Sequence, residues 1–111
     1  MAPRDYLTDF ELMILLAILR VGDEAYGVPI AREIEETGGR TVAVAAVYAA
    51  LDRLEQHGLV ASTVGDPTPE RGGRAKRYFR VTPTGLAAVR HTQRALTRLW
   101  SDVPQLKGGR A

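Results

Sequence analysis

The sequence predicts a mostly α-helical domain that carries one small β-hairpin. Two observations predict it. Apolar residues recur at three- and four-residue spacing in four separate stretches, each closed by Gly or Pro. Between the third and fourth stretches, two strand-like runs, Leu59 to Val64 and Ala75 to Thr82, flank a Gly- and Pro-rich turn over residues 65–73. At 111 residues and 45% hydrophobic content, the chain is one domain with a single modest core.

Residues 1–7 are expected as a loose arm. Thr8 and Glu11 then fit a capping box, which starts a helix over about Asp9 to Val21. Phe10, Met13, Ile14, Ala17 and Ile18 give it an apolar face. Leu12, Leu15 and Leu16 widen that face almost all round, so it needs cover on more than one side, and a second subunit is the expected extra cover. Gly22-Asp23 is a stop. A second helix is expected over about Pro29 to Thr37, with Pro29 in the first turn, Ile30 and Ile34 inward and Glu33, Glu35 and Glu36 outward; Gly38-Gly39 ends it.

The third helix is expected over about Ala45 to His57. Its core stripe is Val44, Val47, Leu51 and Leu54, and Gly58 ends it. Its outward positions are Ala45, Ala46, Tyr48, Ala49, Asp52 and Arg53. Ala43 and Val44 offer no side-chain oxygen as a cap, so the first amides are left to water, a distant side chain or an anion such as phosphate. After the hairpin, Pro83 and Gly85 break the chain and Thr84 is the expected N-cap of a last helix reaching about Val103, before Pro104. Leu86, Val89, Gln93, Leu96, Trp100 and Val103 follow a coiled-coil-like spacing with one polar step. The expected organisation is a folded unit over 1–83, a separate C-terminal helix over 84–104 and a flexible tail over 105–111.

Composition narrows the function. There is no Cys, which removes disulfides and thiolate metal sites. The longest apolar run, Leu12 to Leu19, is too short for a membrane span, and it lies behind acids where a signal peptide would carry cations. A cytoplasmic protein is expected. His57 and His91 form no metal-binding pair, and His57 suits a helix C-terminus as a complement to the dipole. No nucleophile has a base beside it and no Gly-rich stretch has phosphate-loop order, so neither an enzyme nor a cofactor or metal site is expected.

The net charge of +2 conceals a gradient. Residues 1–36 hold three Lys/Arg and eight Asp/Glu, residues 37–80 hold seven and four, and residues 81–111 hold five and one. From Arg71 to Arg80 there are five cations and no acid, interleaved with Tyr78 and Phe79. Such charges also discourage edge-to-edge strand pairing. Their position after a helix with a small, nearly uncharged outer face favours a polyanion partner, with cations for phosphates and Gly for close backbone approach.

Three segments carry a family resemblance: Tyr26-Gly27; Val47-Tyr48-Ala49-Ala50-Leu51 with Arg53-Leu54-Glu55 and Gly58-Leu59; and Gly72-Gly73-Arg74 followed by Lys76-Arg77-Tyr78-Phe79-Arg80-Val81-Thr82. In this order the chain resembles the PadR family of bacterial transcriptional regulators, over about Leu12 to Leu86. The resemblance implies a winged helix-turn-helix homodimer, and the leading reading is a repressor that binds double-stranded DNA at an inverted repeat. The third helix would enter the major groove, the wing would touch the flanking backbone and the C-terminal helix would make the dimer. The chain departs from the family pattern at Val28-Pro29, at Ala43-Val44-Ala45-Ala46 and at Ala49, where Pro is frequent. Ala45, Ala46 and Ala49 then offer only methyl contact, for instance to thymine. Phosphate contacts are expected from Tyr48, Arg53, Arg74, Lys76 and Arg77. Leu12, Leu16, Leu96 and Trp100 are the expected dimer interface. The resemblance also makes a flat aromatic effector a candidate partner there, because some small PadR-like regulators bind drugs or aromatics at the subunit interface. The competing reading is a winged-helix module that uses the same surface for a protein and binds no duplex.

Overall fold

The structure, a computed structural model, describes residues 6–65 and 76–107. Its elements are α1 (Asp9–Val21), α2 (Gly27–Gly38), α3 (Val44–Gln56), β1 (Val60–Val64), β2 (Arg77–Val81) and α4 (Pro83–Trp100), with 3-10 turns at Gly22–Glu24 and Pro104–Leu106. Three helices, an antiparallel hairpin and a fourth helix make the winged helix-turn-helix that the sequence predicts. Residues 66–75, which hold the rest of the Gly- and Pro-rich turn after Gly65 and include Arg71, Gly72, Gly73 and Arg74, lie outside the described residues.

The capping box forms at the start of α1. The Glu11 amide donates to Thr8 Oγ1 at 3.1 Å, and the Thr8 amide donates to Glu11 Oε1 at 2.9 Å. The inward face is centred on Ile14, Leu15, Ala17 and Ile18. Phe10 and Met13, expected on that face, are only partly buried at its edge, while Leu16 and Leu19 are exposed. Residues 1–5 of the expected arm lie outside the described residues; at its end, the Tyr6 ring stacks on His91 at 4.8 Å, and the Leu7 amide donates to the buried hydroxyl of Thr92 at 3.1 Å.

Helix α2 begins at Gly27, ahead of the expected start at Pro29. A long-range partner explains the difference, because the Gly27 amide donates to the Tyr48 hydroxyl at 3.2 Å. In α3 the buried residues are Val47, Ala50, Leu51 and Leu54. Val44, expected in that stripe, sits at the open first turn and is exposed. Gly58, at φ +76°, closes α3: its amide donates to the Glu55 carbonyl at 3.0 Å and the Leu59 amide to the Leu54 carbonyl at 2.9 Å. This is the paired bonding that a left-handed residue allows after a helix.

The hairpin pairs Val60 with Val81, Ser62 with Phe79 and Val64 with Arg77. Phe79 is buried, and its amide donates to the Ala25 carbonyl at 2.8 Å, so β2 is pinned to the link between α1 and α2. The cap of α4 is Thr82, not Thr84. Pro83 takes the first helical position, where no N–H is required, so the capping residue must precede it. Thr82 Oγ1 accepts from the Gly85 amide at 3.0 Å and donates to the Gly58 carbonyl at 2.6 Å. The helix stops at Trp100, short of Val103. The Ser101 amide and hydroxyl both donate to the Thr97 carbonyl, at 3.0 and 2.8 Å, and the chain then turns out through Asp102 at φ 60°. One core runs through α1, α2, α3 and the hairpin and reaches α4 at Val89. Among the described residues no helix is long and apolar enough to cross a membrane.

Candidate nucleic-acid interface

Helix α3 follows α2 through a short link and carries one face away from the core. Ala45, Ala46, Ala49, Asp52 and Arg53 are all exposed on it, at the helical spacing that makes them one stripe. No side chain caps the helix at Ala43. Arg53 enters no ion pair among the described residues. The stripe is therefore small and apolar in its first turns and charged later.

Tyr48 is half-buried between this stripe and the core. Its hydroxyl accepts from the Gly27 amide, and its ring lies 6.5 Å from that of Phe79. A Cβ on Gly27 would overlap the tip of the Tyr48 ring, so any larger residue at 27 would force that ring to shift. Among the described residues no acceptor takes the phenol proton.

The hairpin cations separate by strand alternation. Arg77, Phe79 and Val81 share one face of β2, and Arg80 lies on the other. Lys76, just before the strand, sits 4.6 Å over the Tyr26 ring, and Tyr26 meets Tyr78 edge-on at 5.7 Å. No acid lies between Arg71 and Arg80 in the sequence, yet the fold brings two carboxylates to Arg77. Its Nη1 donates to Asp52 Oδ1 at 3.2 Å, its Nη2 donates to Glu55 Oε1, and its Nε donates to Ser62 Oγ at 3.2 Å. Ser62 in turn donates to Glu55 Oε2 at 2.7 Å. The Ser62 hydroxyl and then the Arg77 charge hold the Glu55 carboxyl below the ordinary glutamate range. Ser62 and Glu55 were not among the expected site residues. The signal for Arg77 was present: it stands two residues before a core Phe, on the inward side of the strand.

The remaining expected residues meet elsewhere. Leu12 and Leu16 of α1 and Leu96 and Trp100 of α4 line one groove of about 370 Å³, with Val89 at its floor side and Gln93 and Thr97 along α4. Trp100 is 67% exposed and Leu99 75%. Among the described residues there is no group of three or more His, Asp or Glu placed to hold a metal.

A profile of the transcriptional regulator PadR-like family matches residues 15–91, which spans α1 to the middle of α4. The chain belongs to the PadR-like family of transcriptional regulators. It is 37% identical over 83 residues to transcriptional regulator Rv3488 of Mycobacterium tuberculosis, a match covering 73% of this chain and 71% of that one. In fold it is similar to a transcriptional regulator from Clostridium thermocellum, with a TM-score of 0.70 at 22% identity over 87% of this chain and 91% of the other. It is also similar to a PadR-like regulator from Bacillus cereus, with a TM-score of 0.69 at 22% identity over 91% and 93%. As a PadR-like regulator the chain is not an enzyme. The PadR-like match takes in Gly27, Tyr48, the α3 stripe and the hairpin, so these residues lie within the family unit.

Proposed function

We propose that this PadR-like regulator is a dimeric repressor that reads duplex DNA with α3 and its hairpin. The observation that carries the reading is the exposed stripe of Ala45, Ala46, Ala49 and Arg53 on the second helix of the helix-turn-helix, with a cationic hairpin directly after it. Methyl groups let the helix approach base edges closely, and Ala45, Ala46 and Ala49 contact thymine methyls. Arg53, Lys76 and Arg74 neutralise phosphates. Tyr48 accepts from Gly27 and keeps its own proton for a phosphate oxygen. Base selectivity through alanines is limited, so dimer spacing and DNA shape supply much of the discrimination. Two half-sites of an inverted repeat lie about 34 Å apart, one helical turn. In the cell the protein works in the cytoplasm, on the nucleoid.

The dimer forms through α4 and the exposed side of α1, where Leu12, Leu16, Leu96 and Trp100 meet. Two such grooves across a two-fold axis form a pocket between paired Trp100 side chains, suited to a flat aromatic effector that releases the DNA. Quenching of the single Trp by planar aromatics reports that binding, and unchanged fluorescence across a diverse panel counts against it.

The deciding experiment is a salt titration of binding to a duplex recovered from a random library. The plot of log affinity against log salt should fall with a slope of about −0.9 per phosphate neutralised, and Lys76→Gln or Arg74→Gln should each shallow it by about 1. A flat plot, or no duplex binding at low salt, overturns the reading and leaves the surface to a protein partner.

A further inference from the structure

We propose that Arg77 is a positioning residue: it clamps the hairpin to the flank of α3 and so fixes the angle at which hairpin and reading helix meet a duplex, without contacting phosphate itself. The proposal rests on the DNA-binding reading above.

Three elements converge on this one guanidinium. Asp52 and Glu55 come from α3, Ser62 from β1 and Arg77 from β2. Arg77, Glu55 and Ser62 bond one another in a closed triangle, and Asp52 adds a fourth partner. The guanidinium carbon also lies 5.0 Å from the ring of Phe79, which belongs to the core. A planar fork with fixed donor directions ties elements together in a way that a point charge cannot.

The charge balance argues against a phosphate at this place. One guanidinium faces two carboxylates, so the cluster is negative overall at neutral pH. A phosphate that captured Arg77 would have to displace both carboxylates and then sit beside them. Register gives the same answer, since Arg77 shares the inward face with Phe79 and Val81, whereas Arg80 faces the other way. Asp52, moreover, belongs to the same exposed stripe as Ala45 and Ala49. The clamp therefore lands on the reading face itself, and hairpin and stripe move as one body.

The cluster is partly open to water: the side chains of Arg77, Glu55 and Asp52 are 40%, 32% and 58% exposed. Screened pairs of this kind add little to stability. Loss of the clamp should thus alter recognition more than melting.

The test uses Arg77→Lys and Glu55→Gln in the full chain. Each is measured on the best duplex recovered from a random library by the wild-type protein and on a scrambled duplex of equal length, across a range of salt. Both variants should lower the ratio of the two affinities by about tenfold, the scale of coupling within one bonded network. The salt slope and the melting temperature should stay close to wild type, and the double variant should be no worse than either single one. Lysine keeps the charge, so full discrimination in Arg77→Lys would make Arg77 a phosphate ligand and overturn the clamp. Glu55→Gln removes a negative charge; tighter binding to both duplexes would mean that the carboxylates merely compete with DNA, and would overturn it too. If the wild-type protein recovers no duplex at all, the DNA reading falls separately. The clamp is then decided by amide exchange in the free protein: faster exchange over 60–64 and 77–81 in both variants supports it, and unchanged exchange overturns it.

Discussion

At Gly27 the chain has room for a hydrogen and nothing larger, because the ring of Tyr48 lies against the backbone there. Gly27→Ala should cost about 1–3 kcal/mol through overpacking, read as a lower thermal midpoint by circular dichroism. Tyr48 is the reason, so Tyr48→Ala in the same chain should recover part of that loss. Glu55 makes a second prediction. The Ser62 hydroxyl and Arg77 depress its folded-state pKa, so its contribution is complete above the ordinary glutamate value of about 4.3 and is lost as pH falls through the lower folded value. Glu33, depressed by the Thr37 hydroxyl and then by Arg20, acts in the same direction. Because the pair is open to water that contribution is small, so Glu55→Gln should match the wild type closely at neutral pH and lose stability only slightly less steeply below about pH 4.3. Little at this scale was legible in the sequence. The Tyr26-Gly27 pair was visible as an opening, but the partner of Gly27 lies 21 residues away and only the packing of α2 on α3 brings it there. Arg77 looked free because its acids are distant in the chain.

At the scale of elements the sequence was read closely where periodicity and breakers agree. The capping box set the start of α1 at Asp9, Gly58 set the end of α3, and the two strands fell inside the expected runs. Errors collected at helix ends: α2 starts early where the Gly27 amide bonds Tyr48, 21 residues away, and α4 stops early where Ser101 bonds back to the Thr97 carbonyl. The cap of α4 was legible in principle, since Pro at the first helical position requires the capping hydroxyl before it. Thr82→Ala should cost about 1 kcal/mol or more, because Thr82 caps α4 and also bonds the Gly58 carbonyl; Thr84→Ala should stay within a few tenths. Chemical denaturation of the two variants side by side checks the assignment, and equal losses would contradict it.

At the scale of the whole molecule, the outer half of α4 stands clear of the core with Leu96, Leu99 and Trp100 exposed, beside a groove that also exposes Leu16. In the proposed dimer this surface is covered, so Leu96→Asp should shift sedimentation from dimer to monomer at micromolar concentration while the chain stays folded. A wild-type protein that sediments as a monomer would remove both the dimer and the paired-Trp pocket. The charge gradient along the chain was visible in the sequence; of the expected α4 seam, Val89, Gln93, Leu96 and Trp100 line one groove, while Val103 lies past the end of the helix. The groove was legible only as a list of leucines, because its shape depends on the angle between α1 and α4.

The alanine stripe of α3 has a consequence for how this regulator can diverge. Ala45, Ala46 and Ala49 are exposed, so the core does not constrain them. Exchange of an exposed helical Ala for Arg, Gln or Lys costs only a few tenths of a kcal/mol in propensity, roughly. If the stripe reads bases as proposed, a duplicated copy of the gene acquires a new target sequence one side chain at a time, with little stability to restore along the way.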